Sequence, residues 1–140
     1  MATTTASLTL NSSDLTSDAL SISSTATLYK DGTTTGLDQS TGLNKKVYAG
    51  AQTAQTLVSS GSYTTGKNHK VYIKNTGTSS TDDFLIILDA TALNGSCATV
   101  NLGRLYGGDW MFIPWEGRYD IEITTTATNM ELEYMVIYEA

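Results

Sequence analysis

The residues able to do chemistry in this chain are few, and none stands beside the partners it would need. His69 is the single histidine. A general base needs a nucleophile and an orienting carboxylate within hydrogen-bond reach. His69 lies instead in Lys67-Asn68-His69-Lys70, which reads as an exposed polar turn. Cys97 is the single cysteine, so no intrachain disulfide can form. With no histidine marked out beside it, Cys97 reads as a small buried apolar residue. Asp82-Asp83 could begin a Ca²⁺ site, but six to eight oxygens are required and the spacing of an EF-hand loop is missing. A solvated strand start is the simpler reading. Glu131 and Glu133 are two residues apart on one strand face, and paired carboxylates serve glycosidases. With no second cluster to support them, they read as a wet strand face. The segment from Gly103 to Gly108, GRLYGG, lacks the lysine and following helix of a phosphate loop and reads as a bend. No residue is therefore assigned as catalytic, cofactor-binding or metal-ligating, and the chain is expected not to be an enzyme.

The elements that carry these residues are strands. Residues 100–123 hold both tryptophans, the only proline and four of the twelve glycines. Tyr119, Ile121 and Ile123 alternate with Asp120, Glu122 and Thr124, the pattern of a half-buried strand. Trp110 to Ile113 forms an apolar run that ends at Pro114 or lies on a sheet edge, because proline donates nothing to a ladder. Exposed, Trp110, Trp115 and Tyr119 could stack on sugars or meet a subunit. Buried, they are core. The core is the favoured place, and its expected members are Phe84, Ile86, Leu88, Trp110, Phe112, Trp115, Tyr119, Ile121, Ile123, Leu132, Tyr134 and Val136.

Further alternations place strands at Ala6–Leu8–Leu10, at Leu20 to Leu28, at Val47–Ala49–Ala51, at Val71–Ile73 and at residues 98–102. Phe84 to Leu88 is a continuous apolar run, as in a central strand covered on both faces. Residues 130–138 put Met130, Leu132, Tyr134, Val136 and Tyr138 on one face. The other face begins with Glu131 and Glu133 and ends with Met135 and Ile137, as though its second half met a cover. About eight to ten turn-separated strands predict an all-β fold, an antiparallel β-sandwich of jelly-roll-like form. It is read as a single domain at 19–140, with an N-terminal extension or arm at 1–18. The extension and the turn-rich stretch at 30–46 carry isolated apolar residues. Leu8, Leu10, Leu15, Leu37 and Leu43 are the expected partner contacts.

Composition narrows the partners. Net charge is −6, and the eight basic residues are scattered. Nucleic acid needs a basic stripe, so it is not expected as a partner. No apolar run reaches the length of a membrane span, and MATTTASLTL has neither the charged nor the apolar region of a signal peptide. Neither a membrane partner nor conventional export is expected. Serine and threonine make up over a quarter of the chain, suited to pleated, partly exposed surfaces.

Three stretches carry a resemblance. They are VYIKNTG from Val71, GGDWMFIPWEG from Gly107 and MELEY from Met130. Together they resemble small β-sandwich structural proteins of tailed bacteriophages, of the marine and cyanophage type. The resemblance covers about half of the chain, and no site residue carries over from it. It implies a virion component made in the host cytoplasm and placed on the capsid surface. Such a component decorates or cements the shell by stabilising contacts between major capsid protein subunits. Its partners would be that protein or other virion proteins, with a homo-oligomer such as a trimer compatible with the role, and no cofactor is implied. The alternative is a tail, fibre or head–tail module that binds host glycans through exposed aromatics.

Overall fold

The computed structural model describes residues 3–15, 17–89 and 99–140. Cys97, and residue 98 of the strand expected at 98–102, lie outside these residues. The chain divides into two compact units, Met1–Asp38 and Gln39–Ala140. The division falls after Asp38, not at residue 18, because the residues on either side of 18 pair with each other.

In the first unit, β1 (Thr5–Ser12) and β2 (Leu20–Thr27) form a two-stranded antiparallel ribbon. Ser12 starts its turn: the Ser12 hydroxyl accepts the N–H of Leu15 at 3.0 Å. In register, Leu8 lies opposite Ser24, Leu10 opposite Ile22 and Ser12 opposite Leu20. Side chains alternate along a strand, so these residues share one face with Ala6 and Ala26. The other face is hydroxyl and amide, with Ser7 and Thr25 in contact at 2.9 Å and Ser21 donating to Asn11 at 2.9 Å. Beyond β2 the chain doubles back at Asp31-Gly32, where Gly32 takes the left-handed conformation. Leu37 N–H then donates to the Leu28 carbonyl at 2.8 Å, and both leucines are buried.

The second unit is an antiparallel β-sandwich. Its strands are β3 (Gln39–Ser40), β4 (Asn44–Tyr48), β5 (Gln52–Val58), β6 (His69–Asn75), β7 (Phe84–Asp89), β8 (Val100–Leu105), β9 (Trp110–Trp115), β10 (Asp120–Thr125) and β11 (Met130–Tyr138). One sheet has the order β5-β10-β7-β8. The other runs β3-β11-β6-β9, with β4 also on β11. The stretch at 30–46, expected as a loop, thus ends in strands. β3 and β4 form one interrupted edge, joined where Thr41 N–H donates to the Val136 carbonyl and Val136 N–H donates to the Thr41 hydroxyl, both at 3.0 Å. Except for the β7–β8 pair, the chain changes sheet with each strand from β4 to β11.

The core fills the space between the two sheets. Val71, Ile73, Leu132, Val136 and Trp115 face Phe84, Ile86, Ile121 and Ile123, all buried, with Leu88 and Tyr134 partly buried against them. β7 is an interior strand, and Ile87 on its other face is also buried, as its continuous apolar run predicts. β9 is the edge strand that its proline calls for, but it continues through Pro114 to Trp115. That continuity corrects three core expectations. Trp110 and Trp115 are an odd number of residues apart on one strand and so point to opposite faces. Trp115 is inside and Trp110 is 52% exposed. Phe112 shares the outer face with Trp110, half-buried. Tyr119 is also only half-buried; its contribution is a carbonyl that accepts Trp115 Nε1–H at 3.0 Å. On β4 the phase is the reverse of the one the alternation suggested, with Tyr48 inside and Val47 exposed.

Two glycines hold the sheets' connections close. A Cβ on Gly107 would come within 2.4 Å of the Ser79 carbonyl oxygen. Gly117, at φ +74°, leaves room for the His69 ring and the Thr64 carbonyl, which a Cβ would meet at 3.1 and 3.0 Å.

Candidate functional site

The polar residues singled out for chemistry are engaged in structure. His69 is fully buried, which corrects its reading as an exposed turn residue. It opens β6 beneath Tyr63 and Trp115. Its Nδ1 accepts the Glu139 N–H at 3.2 Å, which leaves Nε2–H to donate to the Thr64 carbonyl at 2.9 Å. Both ring nitrogens are spent on backbone, and neither faces a nucleophile. Asp83 pairs with Arg104. Glu131 accepts from Lys45 Nζ at 2.7 Å and from the Thr76 hydroxyl at 2.8 Å, and these bonds hold its carboxyl below the usual range. The same bond raises Lys45. Among the described residues no group of three or more histidine, cysteine, aspartate or glutamate side chains could hold a metal ion.

Among the described residues, one surface on each unit combines exposed apolar side chains with a regular strand face. The first is the ribbon. β1 and β2 contain no charged residue and no proline, the devices that ordinarily protect an open sheet edge. Leu8, Leu10 and Ile22 on its apolar face are each close to half exposed, and Leu15 at its tip is 72% exposed. A lone two-stranded hairpin is marginally stable in water. Of the five leucines expected to meet a partner, Leu8, Leu10 and Leu15 therefore lie together on this unit. Leu43 is exposed on the other unit, between β3 and β4. Leu37 is completely buried and cannot serve.

The second surface is the outer face of the sheet that contains β6. Its pairing sets three rows across β11, β6 and β9. They are Glu133–Lys74–Trp110, Met135–Tyr72–Phe112 and Ile137–Lys70–Pro114. The apolar end of β11 thus meets an aromatic row; on this face Ile137 is buried, Met135, Tyr72 and Phe112 are half-buried, and Trp110 is exposed. Burial, with the Glu133 charge as a lesser cause, raises the Tyr72 phenol, and burial lowers the Lys70 amine, which donates to Asn68. One step past the Trp110 row, a cleft of about 340 Å³ is lined by Thr76, Thr78, Ser79, Asp82, Asn129 and Glu131 among others.

No protein-family model, no curated protein and no solved structure matches this chain. The surfaces must therefore be read from their own chemistry.

Sequence reasoning missed the outer-face row because it placed Trp110 and Phe112 inside. The signal was available: an odd spacing between two tryptophans on one strand divides them between faces. It also missed Asn75, which is wholly buried. The Asn75 amide donates to the Leu105 carbonyl at 2.9 Å and the Asp82 carbonyl at 3.2 Å, and its oxygen accepts Gly77 N–H at 2.9 Å. The Asn-Thr-Gly sequence signalled a turn, but not that the asparagine opening it was buried.

Proposed function

We propose that this chain is a non-enzymatic structural protein that binds other protein through its N-terminal ribbon. The role is that of a decoration or cement protein on the capsid of a tailed bacteriophage, as the resemblance of its second half implies. The observation that supports this reading is the ribbon itself: sixteen strand residues without a charge, carrying Leu8, Leu10 and Ile22 into solvent. Such a surface is stable when another protein covers it. Burying the exposed part of each of these side chains contributes on the order of 1 kcal/mol. Repeated over many copies, that area reinforces subunit junctions that internal pressure pulls apart. The chain's acidic balance keeps the rest of its surface soluble.

The test uses phage particles purified on a density gradient. The protein is expected in them by mass spectrometry, at a copy number commensurate with the shell. Particles stripped of it should regain it from the native chain, but not from a Leu8→Ser, Leu10→Ser, Ile22→Ser variant. Its absence from particles would end the virion reading, and full rebinding of the variant would end the ribbon's part in it.

A further inference from the structure

We propose that the second unit carries a binding site for neutral polysaccharide, formed by Trp110 and Phe112 with the adjoining hydroxyl-lined cleft. It does not depend on the ribbon. Trp110 is the centre of this site. An indole is costly to leave in water, yet this one is 52% exposed on a flat sheet face, two residues from Phe112 on the same face. In the next row Tyr72 lies directly across from Phe112. Neighbouring side chains in such an array are about 5–7 Å apart at their bases, so the three aromatic residues share one patch of the face, with Trp110 exposed and Phe112 and Tyr72 half-buried.

The cleft adjoins this patch in register, beyond Glu133 and Lys74. Thr76 keeps the parity of Lys70, Tyr72 and Lys74, and its hydroxyl bonds the Glu131 carboxylate. Glu131 shares its strand face with Glu133, which stands in the Trp110 row. The cleft walls supply hydroxyls from Thr76, Thr78 and Ser79, an amide from Asn129 and carboxylates from Asp82 and Glu131. Its volume of about 340 Å³ suits one or two small rings, at the lower end for ligand pockets.

The ligand that satisfies both parts must have apolar faces to lie on aromatic rings and hydroxyls dense enough to meet a wall of donors and acceptors. A sugar ring has C–H faces and hydroxyl edges. A hydrophobic peptide would take water from the cleft's hydroxyls, amide and carboxylates and offer few hydrogen bonds in return, which is costly. Lys45 offsets the Glu131 charge and Lys74 stands opposite Glu133, so the Asp82 carboxylate and the chain's net charge of −6 are what disfavour an acidic polysaccharide, and the class is neutral.

Electrophoresis of the native chain in gels containing hydroxyethyl cellulose or galactomannan, with alginate as the acidic control, tests the proposal. Retardation is expected in at least one neutral gel and not in alginate. Trp110→Ala should weaken it roughly tenfold or more, the loss of one aromatic contact, and Asp82→Ala should weaken it in part. The exposed position of Trp110 lets that variant fold, which far-UV circular dichroism verifies. Because Trp115 is buried, acrylamide-quenchable emission belongs to Trp110, and the retarding polysaccharide should protect it. The ribbon variant should be retarded like the native chain, which separates this site from the ribbon. No retardation in either neutral gel, retardation in alginate alone, or undiminished retardation of Trp110→Ala would overturn the proposal. So would protection of Trp110 by self-association without polysaccharide, which would assign the face to a second copy.

Discussion

Tyr48 sets the terms at the scale of single residues. Its ring packs on Phe84 in the core, yet its hydroxyl is buried without a hydrogen-bond partner. Such a group retains its desolvation cost with nothing to offset it. Tyr48→Phe should therefore raise stability by roughly 1 kcal/mol in a urea titration. Burial, with the neighbouring Tyr134 phenol, pushes Tyr48 up to about 12. The unfolded chain ionises this phenol near pH 10. The sign follows: a raised folded value means stability that is fully present below pH 10 and is lost as pH climbs from there through about 12. The native chain should lose stability more steeply across that window than Tyr48→Phe, and parallel losses would refute the assignment. Asn75 is the opposite case, a buried amide with every partner in place. Asn75→Ala removes three hydrogen bonds and strands buried backbone groups, at a cost of roughly 2–3 kcal/mol. A loss under half of that would mean that water enters to replace the amide. His69 makes the same point, since both nitrogens hold backbone and Gly117 leaves space for the ring.

At the scale of elements, the ribbon and the sandwich strands differ in what covers them. β6 and β11 are interior strands of a sheet, with one face in the core. Among the described residues β1 and β2 have each other and no third strand. Amide exchange should register this difference. In the free chain β1 and β2 should exchange orders of magnitude faster than β6 and β11, because few buried contacts oppose their opening. Binding to particles should slow them. Equal protection of all four strands in the free chain would show that the ribbon needs no cover, and would remove the main support for its role.

For the whole molecule, the division after Asp38 has a direct consequence. Every residue of the main core cluster lies between Tyr48 and Tyr138. Residues 39–140 should accordingly fold without the first unit, with a cooperative thermal transition and native near-ultraviolet dichroism from Trp115. A broad transition without that signal would show that the first unit is needed to complete the sandwich. The isolated fragment should also keep any polysaccharide retardation while failing to bind particles, which assigns the two activities to separate units.

What the sequence determined by itself is local. Alternation of apolar and polar residues marks a strand wherever it occurs, because a strand's two faces are set by its backbone. That is why the all-β class and the inward faces of β6, β10 and β11 were legible, and why a sheet edge was one of the two places Pro114 allowed. Only the tertiary structure decided which faces have a second layer over them. β2 alternates like a half-buried strand, yet its apolar face lies open, since nothing in eight residues specifies a covering sheet. Trp110 and Phe112 were placed with the core on hydrophobicity, but strand continuity through Pro114 turned them outward. Asn75 and His69 became interior residues because distant backbone, at Leu105 and Glu139, came to meet them. Side-chain periodicity is a property of one strand, whereas burial is a property of what packs against it.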